Sequence, residues 1–499
     1  MDERYIAAID LGSSRISLGV AQVQGDNTQI IYFDSVPSEG VRTGAVFNPQ
    51  RCGGKIRELL DKAEDELKIH IHQIVTNYPK YGVKQELATS ELPRTNPDSS
   101  ISEEELDSLK NVSLDSYPLD NAATQLIYGA VVQSFATEEY INAREDDVVG
   151  MISAKLYGNY KLFIGGKRTS DYIDAACNMA NIAISDKYFG PEVEGKAALT
   201  MNEMENGVAL INMGGGVTSV TVYHKGALRY YGAIPFGGKT ITDDIRYESG
   251  FSESLAENIK LAFGACLPDK LQNLSDKILQ VNLGDDIPPK NLSVKYLSEI
   301  ITARQKEILE AILWHIQQSG LADSLRSGLV LTGGGCELVN TANLLKDISG
   351  YSVRIGAPRR FFTTGCEGLN SPAATTCAGL IMEARKHPHI NCAEVPETIE
   401  VEMAPPQREE LFPEETPAEP ASPVQQGDEK PAFERFRKQE PRKPKREKIK
   451  IVKPKKPQKE PREPKEIKLP NWLKVISDVQ GTLFDGMDER PENEINNNG

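Results

Sequence analysis

Two stretches of this chain, 202 residues apart, repeat one pattern. Ala7–Val20 reads AAIDLGSSRISLGV and Ala209–Val222 reads ALINMGGGVTSVTV. Each is an apolar strand, a tight Gly/Ser turn and a second β-rich strand; aligned, Asp10 falls on Asn212 and Gly12 on Gly214. An echo of this kind means that the chain folds two copies of one unit, so the fold class is α/β with a duplicated domain. Turn glycines let backbone amides crowd into one small space without a Cβ, which is how a hairpin grips phosphate oxygens. A single Gly-rich hairpin is common and usually binds nothing. Two in register, one per half, point to phosphates held in the cleft between the copies. A third element, Leu329–Glu337 (LVLTGGGCE), is an apolar strand that runs into three glycines ahead of the helical NTANLLKDI. Such a junction lets a planar ring or sugar approach the backbone; the alternative is an ordinary βα turn.

Other readings of the body are weaker. AIPFGGKT (Ala233–Thr240) nearly matches G-x-x-x-x-G-K-[ST], but Ala233 replaces the first glycine and no later apolar strand ends in a magnesium-holding Asp. His70/His72 and His387/His389 are alternate-residue pairs without a third ligand. The seven cysteines are scattered with no C-x-x-C pair, which reads as buried thiols rather than a disulfide framework or a zinc site. No apolar run approaches the ~20 residues of a spanning helix, and MDERYIAAIDLG reads as a first strand rather than a signal peptide. The expectation is a cytoplasmic protein.

The texture changes after about Lys386. From Glu394 to Pro470 there are 15 prolines, half of the 30 in the chain, so 393–470 is expected to be a disordered linker. Its part from Glu434 to Lys468 holds 16 Lys/Arg against 6 Glu, a net +10, while the whole chain carries −15 and the remainder therefore −25. The acidic body is unsuited to nucleic acid; the basic stretch suits an anionic surface. Beyond it, Trp472, Leu473, Ile476, Val479, Leu483 and Phe484 fall on one helical stripe of 471–487. A helix at the end of a disordered tail has no core to cover, so it must seek a membrane or a partner groove.

Together these residues resemble the actin, Hsp70 and sugar-kinase superfamily and, within it, the FtsA family of bacterial cell-division proteins. AIDLGSSR is similar to the first phosphate motif, LINMGGGVTSV to the second, LVLTGGG to the adenosine motif, and EGVRTGAV (Glu39–Val46) and NSPAATTCAGLIM (Asn370–Met382) to the two connecting motifs. The resemblance implies two ribonuclease-H-like, actin-like halves around a nucleotide cleft, with an α+β subdomain 1C inserted at 81–160. Subdomain 1A then takes 1–80, 161–205 and 358–392, subdomain 2A takes 206–232 and 328–357, and subdomain 2B takes 233–327. It implies ATP and a weakly held Mg2+ as cofactors. Gly12, Ser13, Ser14, Arg15, Gly214, Gly215, Gly216, Gly333, Gly334 and Gly335 would bind the nucleotide, Arg304 and Glu307 would lie near its adenine (or form a plain ion pair), and Asp10 would hold the metal through water as the catalytic acid. It implies self-association, the tubulin-like GTPase FtsZ, other division proteins and anionic inner-membrane lipid as partners, at the cytoplasmic face of the division site. FGGKTITDDI also matches a segment of this family, which accounts for the near-match to a P-loop. The departures are Asn212, Ser219 and Gly190, where the superfamily usually has acids; they imply at most a weak ATPase. A sugar or metabolite kinase and a pilus-assembly relative of FtsA are the alternatives.

If 471–487 anchors the protein, Trp472→Glu or Ile476→Glu removes one buried apolar side chain, worth ~1.5 to 3 kcal/mol, and adds a charge. Each is expected to cut co-sedimentation with anionic vesicles by about tenfold or more. Binding of the intact chain should weaken with salt without vanishing, because the apolar contribution is not screened. Full co-sedimentation of both variants would leave the partner groove as the reading.

Overall fold

The computed structural model describes residues 4–394, except 26, 95, 272–275, 283–287, 359–365 and 367, together with the backbone of 451 and 452. The helix expected at 471–487, and the linker apart from 393, 394, 451 and 452, lie outside the described residues.

Two five-stranded sheets carry the duplication. In the first, Arg4–Leu11, Arg15–Gln24 and Asn27–Pro37 form an antiparallel meander, and Gln73–Asn77 and then Ala183–Tyr188 add in parallel beside Arg4–Leu11. In the second, Val208–Met213, Thr218–His224 and Ala227–Ile234 form the meander, and Leu329–Thr332 and Val353–Ile355 add in parallel. Strand order and sense are the same in both. The register repeats as well: Asp10 sits opposite Ser17, and Asn212 sits opposite Ser219. The central strands are buried on both faces, which is why they read as continuous apolar runs rather than alternating ones.

Local signals set the helices. Pro49–Leu67 starts where the Asn48 side chain accepts the Arg51 amide and Pro49 occupies the first turn, and it ends at Lys68 in the left-handed region. Its Ile56, Leu59 and Leu60 enter the first core. The 25-residue Val294–Gln318 is capped by Ser293 and buries Leu297, Ile301, Ile308 and Ile312 in the second core.

Between Gln73–Asn77 and Ala183–Tyr188 the chain inserts a three-stranded antiparallel sheet, in the order Lys84–Pro93, Lys155–Gly166, Gln125–Ala136, with the helix Glu103–Ser116 against it. A capping box at Ser102 and Glu105 starts that helix. Arg94 is fully buried; its Nε donates to Glu105 at 2.8 Å and its Nη1 donates to the carbonyls of Ser99 and Ser153, both at 2.8 Å. A buried cation needs all of these acceptors.

The insertion also covers the outer edge of the second sheet. Gln85 accepts from the Tyr231 amide at 2.9 Å and donates to its carbonyl at 2.8 Å, and Gln133 donates to the Leu228 carbonyl at 2.9 Å. Two side-chain amides thus stand in for the missing neighbour of strand Ala227–Ile234, whose edge would otherwise offer unpaired backbone groups. Phe163 of the insertion stacks on Phe189 at 4.2 Å, and Tyr231 meets both rings edge-on.

Two helices join the halves. Gly190–Ala198 follows the last strand of the first sheet and lies against Tyr223 of the second. Thr375–Ala384 comes after the last strand of the second sheet and packs on the first, where the Cys377 thiol donates to the Ala8 carbonyl at 3.3 Å. Each half therefore sends a helix onto the other. The two helices cross at Gly379, where a Cβ would overlap the backbone carbonyl of Val193.

Because backbone cannot rotate away as a side chain can, Gly379→Ala must push the helices apart. It is expected to cost about 1 to 3 kcal/mol, as overpacking does, although alanine favours helix by ~1 kcal/mol over glycine. Urea unfolding checks this; an unchanged midpoint would show that the crossing is loose.

Candidate nucleotide cleft

The two glycine hairpins meet. Ser13 and Ser14, in the turn after Arg4–Leu11, face Gly216 and Gly215, in the turn after Val208–Met213. A Cβ on Gly215 would overlap the Ser14 hydroxyl, and one on Gly216 would come within 2.7 Å of the Ser13 hydroxyl. Position 215 therefore requires glycine for close approach rather than for backbone conformation. Ser13 is buried, and its hydroxyl accepts the Gly44 amide at 2.8 Å, which ties the Glu39–Val46 segment to the first turn. Behind the second turn, Gly238 and Lys239 donate to the Gly214 and Gly215 carbonyls at 3.0 and 2.8 Å. This is where AIPFGGKT goes: its glycines brace the second hairpin, and helix Gly238–Ser249 starts from them. Buried Lys260 holds the start of that helix, donating to the Gly238 carbonyl at 2.9 Å and to Glu257 at 2.7 Å.

The third glycine segment adjoins the second hairpin. Thr332 ends its strand beside Asn212. Gly333 has φ +79°, a conformation side chains resist, and a Cβ there would collide with the Asn212 side chain. The helix follows where the sequence placed it, at NTANLLKDI, but a turn comes between. Gly334–Glu337 forms a 3₁₀ turn, Asn340 is left-handed, and the helix starts only at Thr341.

Asp10 lies at the end of the first strand among groups that the motif reading did not include. Lys80, just past strand Gln73–Asn77, pairs with the buried Glu194 at 2.5 Å and donates to the Thr376 hydroxyl at 3.1 Å. That hydroxyl donates to Glu194 at 2.9 Å. Burial pushes the Asp10 carboxyl above its ordinary value; Lys80 pulls it back, Glu194 pushes it further up, and Thr376 lowers it. Burial alone would lower Lys80, but Glu194 and Asp10 outweigh it and hold the ammonium above its usual range. One crossing helix supplies Glu194 and the other supplies Thr376, so the charge cluster sits on the joint between the halves. Gly190 makes room for it: a Cβ there would lie 3.3 Å from the Lys80 chain. The glycine thus leaves space for the lysine chain. Glu194, one turn later on the same helix, carries the carboxylate. Sequence could have flagged Lys80 as a lysine directly after a buried strand and a proline, and Glu194 as the acid on an otherwise apolar helical face.

Other residues singled out are placed differently. The Arg15 guanidinium reaches back to the Ser35 hydroxyl and carbonyl at 2.7 and 2.9 Å. Arg304 makes a two-pronged pair with Asp244 at 2.6 and 3.0 Å and a third bond to Glu307 at 2.7 Å, so its five-donor fork is committed to protein carboxylates. His70 bonds Glu64, and among the described residues no three potential metal ligands gather. Six of the seven cysteines are buried, Cys366 partly. A cavity of about 800 Å³ lies along Gln29–Asp34 with Lys62, Asp65 and Glu66, none of them residues of the glycine turns.

The cleft suits phosphate better than metal. Two glycine turns form a cradle that a side chain would fill. The acids, by contrast, already face an internal cation, and Asn212 and Ser219 bring no charge.

The chain is similar to known proteins over most of its length. A family model described as "FtsA: Cell division protein FtsA" matches residues 209–379, a span that holds the second hairpin, the third glycine segment and the second crossing helix as far as Gly379. This span is similar to an FtsA domain. Proteins named cell division protein FtsA match most of the chain: that of Borreliella burgdorferi is 27% identical over 393 residues, covering 78% of this chain and 93% of its own. The Neisseria meningitidis protein is 28% identical over 387 residues, covering 77% and 91%, and that of Escherichia coli K12 is 25% identical over 400 residues, covering 78% and 92%. Among solved structures, a PilM-PilN type IV pilus biogenesis complex aligns with a TM-score of 0.51 at 15% identity, over 76% of this chain and 98% of that one. The actin-like fold is thereby shown, and the FtsA relationship supports a role in cell division. No described helix is long and apolar enough to cross a membrane.

Lys80→Met would strand two buried carboxylates. Breaking a buried pair from one side typically costs ~3 to 5 kcal/mol, and urea unfolding at neutral pH should show a loss of that order. Asp10 has a raised folded value, so as pH falls it takes up its proton in the folded state before the unfolded one. The loss should therefore shrink on acidification, more so in the variant, which lacks the cation that pulls Asp10 down. A pH-independent loss under about 1 kcal/mol would show that the cluster is not coupled.

Proposed function

We propose that this chain is an ATP-binding adaptor of cell division that polymerises and ties FtsZ to the cytoplasmic face of the inner membrane, with little or no ATP hydrolysis. The observation that carries the reading is the convergence of the two glycine turns, Ser13–Ser14 against Gly215–Gly216, between duplicated halves. A triphosphate would lie along those turns with Gly333 near its nucleoside. Mg2+ bound to its phosphates would neutralise their charge; of the acids in this chain, Asp10 would face it through water. Asn212 and Ser219 cannot act as bases, and Lys80 holds Glu194 in an ion pair, which supports the reading of slow hydrolysis. Removing one transition-state stabiliser typically costs ~10²-fold or more in rate.

The FtsA-named relatives favour division over the sugar-kinase reading. The PilM likeness concerns fold alone. An actin-like body with an insertion on one side has unlike ends, and unlike ends build open filaments rather than closed rings.

Purified FtsZ, ATP and anionic liposomes test the adaptor directly. The intact chain is expected to bring FtsZ into the liposome pellet, and a chain ending before Asn471 is expected to leave it in solution. Steady-state ATP turnover is expected well below the ~1 per second of kinases. Equal FtsZ recovery with both chains would overturn the tether, and kinase-like turnover would overturn the reading of the acids.

A further inference from the structure

One window of the linker differs from the rest. Between Pro444 and Pro454 the sequence KREKIKIVK has no proline, and in KIKI it alternates lysine with β-branched residues, the period-2 pattern of a strand. Within this window Ile451–Val452 forms the outer strand of the small sheet of the second half. It pairs antiparallel with Ile278–Val281, Val452 facing Ile278 and Ile451 facing Leu279. On its other side Ile278–Val281 pairs with Lys290–Ser293. Without 451–452 this strand would be an edge: Leu279 and Val281 are committed to the second core, while one side of the backbone would be left to pair with any chain that fits.

We propose that this edge is the docking site of the chain's own linker, occupied by Ile451–Val452 through strand addition. Three observations favour this occupant over another protein. The pairing has a defined register, the window is the one proline-free alternating stretch in that part of the linker, and the basic linker is drawn to a body that carries the opposite charge. A two-residue pairing is weak between separate molecules. Within one chain the effective concentration of a flexibly linked segment approaches the millimolar range.

Docking changes where the tail leaves the body. Undocked, the stretch 395–470 separates Glu394 from the expected helix and spans up to roughly 250 Å at full extension; docked, 453–470 alone spans roughly 60 Å from the small sheet. If 471–487 binds membrane, as proposed above, the docked strand turns the second half's small sheet toward the surface, and release lengthens the tether about fourfold. The docking itself does not depend on that reading.

The test uses the full chain without lipid. Facing residues of an antiparallel pair have Cα atoms about 4.5 to 5.5 Å apart, within disulfide reach. Ile278→Cys/Val452→Cys is therefore expected to form an intrachain disulfide under mild oxidant, running as a monomer on a non-reducing gel, with Val452→Cys alone as background. Separately, Ile451→Pro removes a backbone donor and is expected to speed amide exchange across Ile278–Val281 about tenfold. Crosslinks only between chains would assign the edge to a second copy. That result, no crosslink at all, or unchanged exchange would overturn the proposal. Failure of 471–487 to bind vesicles would leave these results untouched, so the two readings fail separately.

Discussion

The structure depends on the crossing of two helices, Gly190–Ala198 and Thr375–Ala384. Each grows out of one sheet and packs on the other, so neither half buries its core without its neighbour. The contact is backbone against backbone at Gly379 and Val193, which leaves no side chain to adjust. Such packing resists sliding while permitting a small rotation about the contact. The same helices bring Glu194 and Thr376 to Asp10 and Lys80. The charge chemistry of the cleft and the mechanical joint of the molecule are thus one set of residues.

The insertion plays a second structural part. Strand Ala227–Ile234 ends its sheet, and an open apolar edge of that length invites aggregation. Gln85 and Gln133 satisfy its backbone with side-chain amides, Phe163 meets its Tyr231 edge-on, and the Tyr231 hydroxyl donates to the Lys80 carbonyl. The insertion therefore fixes the segment that carries Lys80 as well as the edge it covers. A change in its packing would reach the cleft through Tyr231 without touching a phosphate-motif residue.

The duplication was legible because it rests on local rules. Buried central strands must be apolar throughout, and tight turns need glycine, so the hairpins and their 202-residue offset survive in the text of the chain and reappear pair for pair in the register. The cleft's charge cluster was less legible. Lys80, Glu194 and Thr376 stand far apart in sequence and come together only through the crossing of helices, and each alone reads as an ordinary residue. Arg15 and Arg304 show the converse. Arg15 bonds Ser35 and Arg304 bonds Asp244 and Glu307, the last being the plain ion pair that the sequence also offered. For the LTGGG segment the strand and the following helix were legible, but the 3₁₀ turn between them, with the positive φ of Gly333 and the left-handed Asn340, was not. Propensity marks such a bend but does not give its direction.

The glycine at 190, with Lys80 beside it, has a consequence for charge. With Asp10 ionised, Asp10, Glu194 and Lys80 sum to one negative charge, and with Asp10 protonated they sum to none. Polyanionic phosphates approaching the hairpins would thus meet a nearly neutral floor rather than a carboxylate pair. Neutrality serves binding, since little repulsion must be screened, and works against hydrolysis, since neither a strong metal site nor a general base is left. In the proposed reading, a nucleotide in a cleft of this charge would act as a structural wedge between halves whose joint is Gly379, through the conformation it stabilises rather than through the energy of its cleavage.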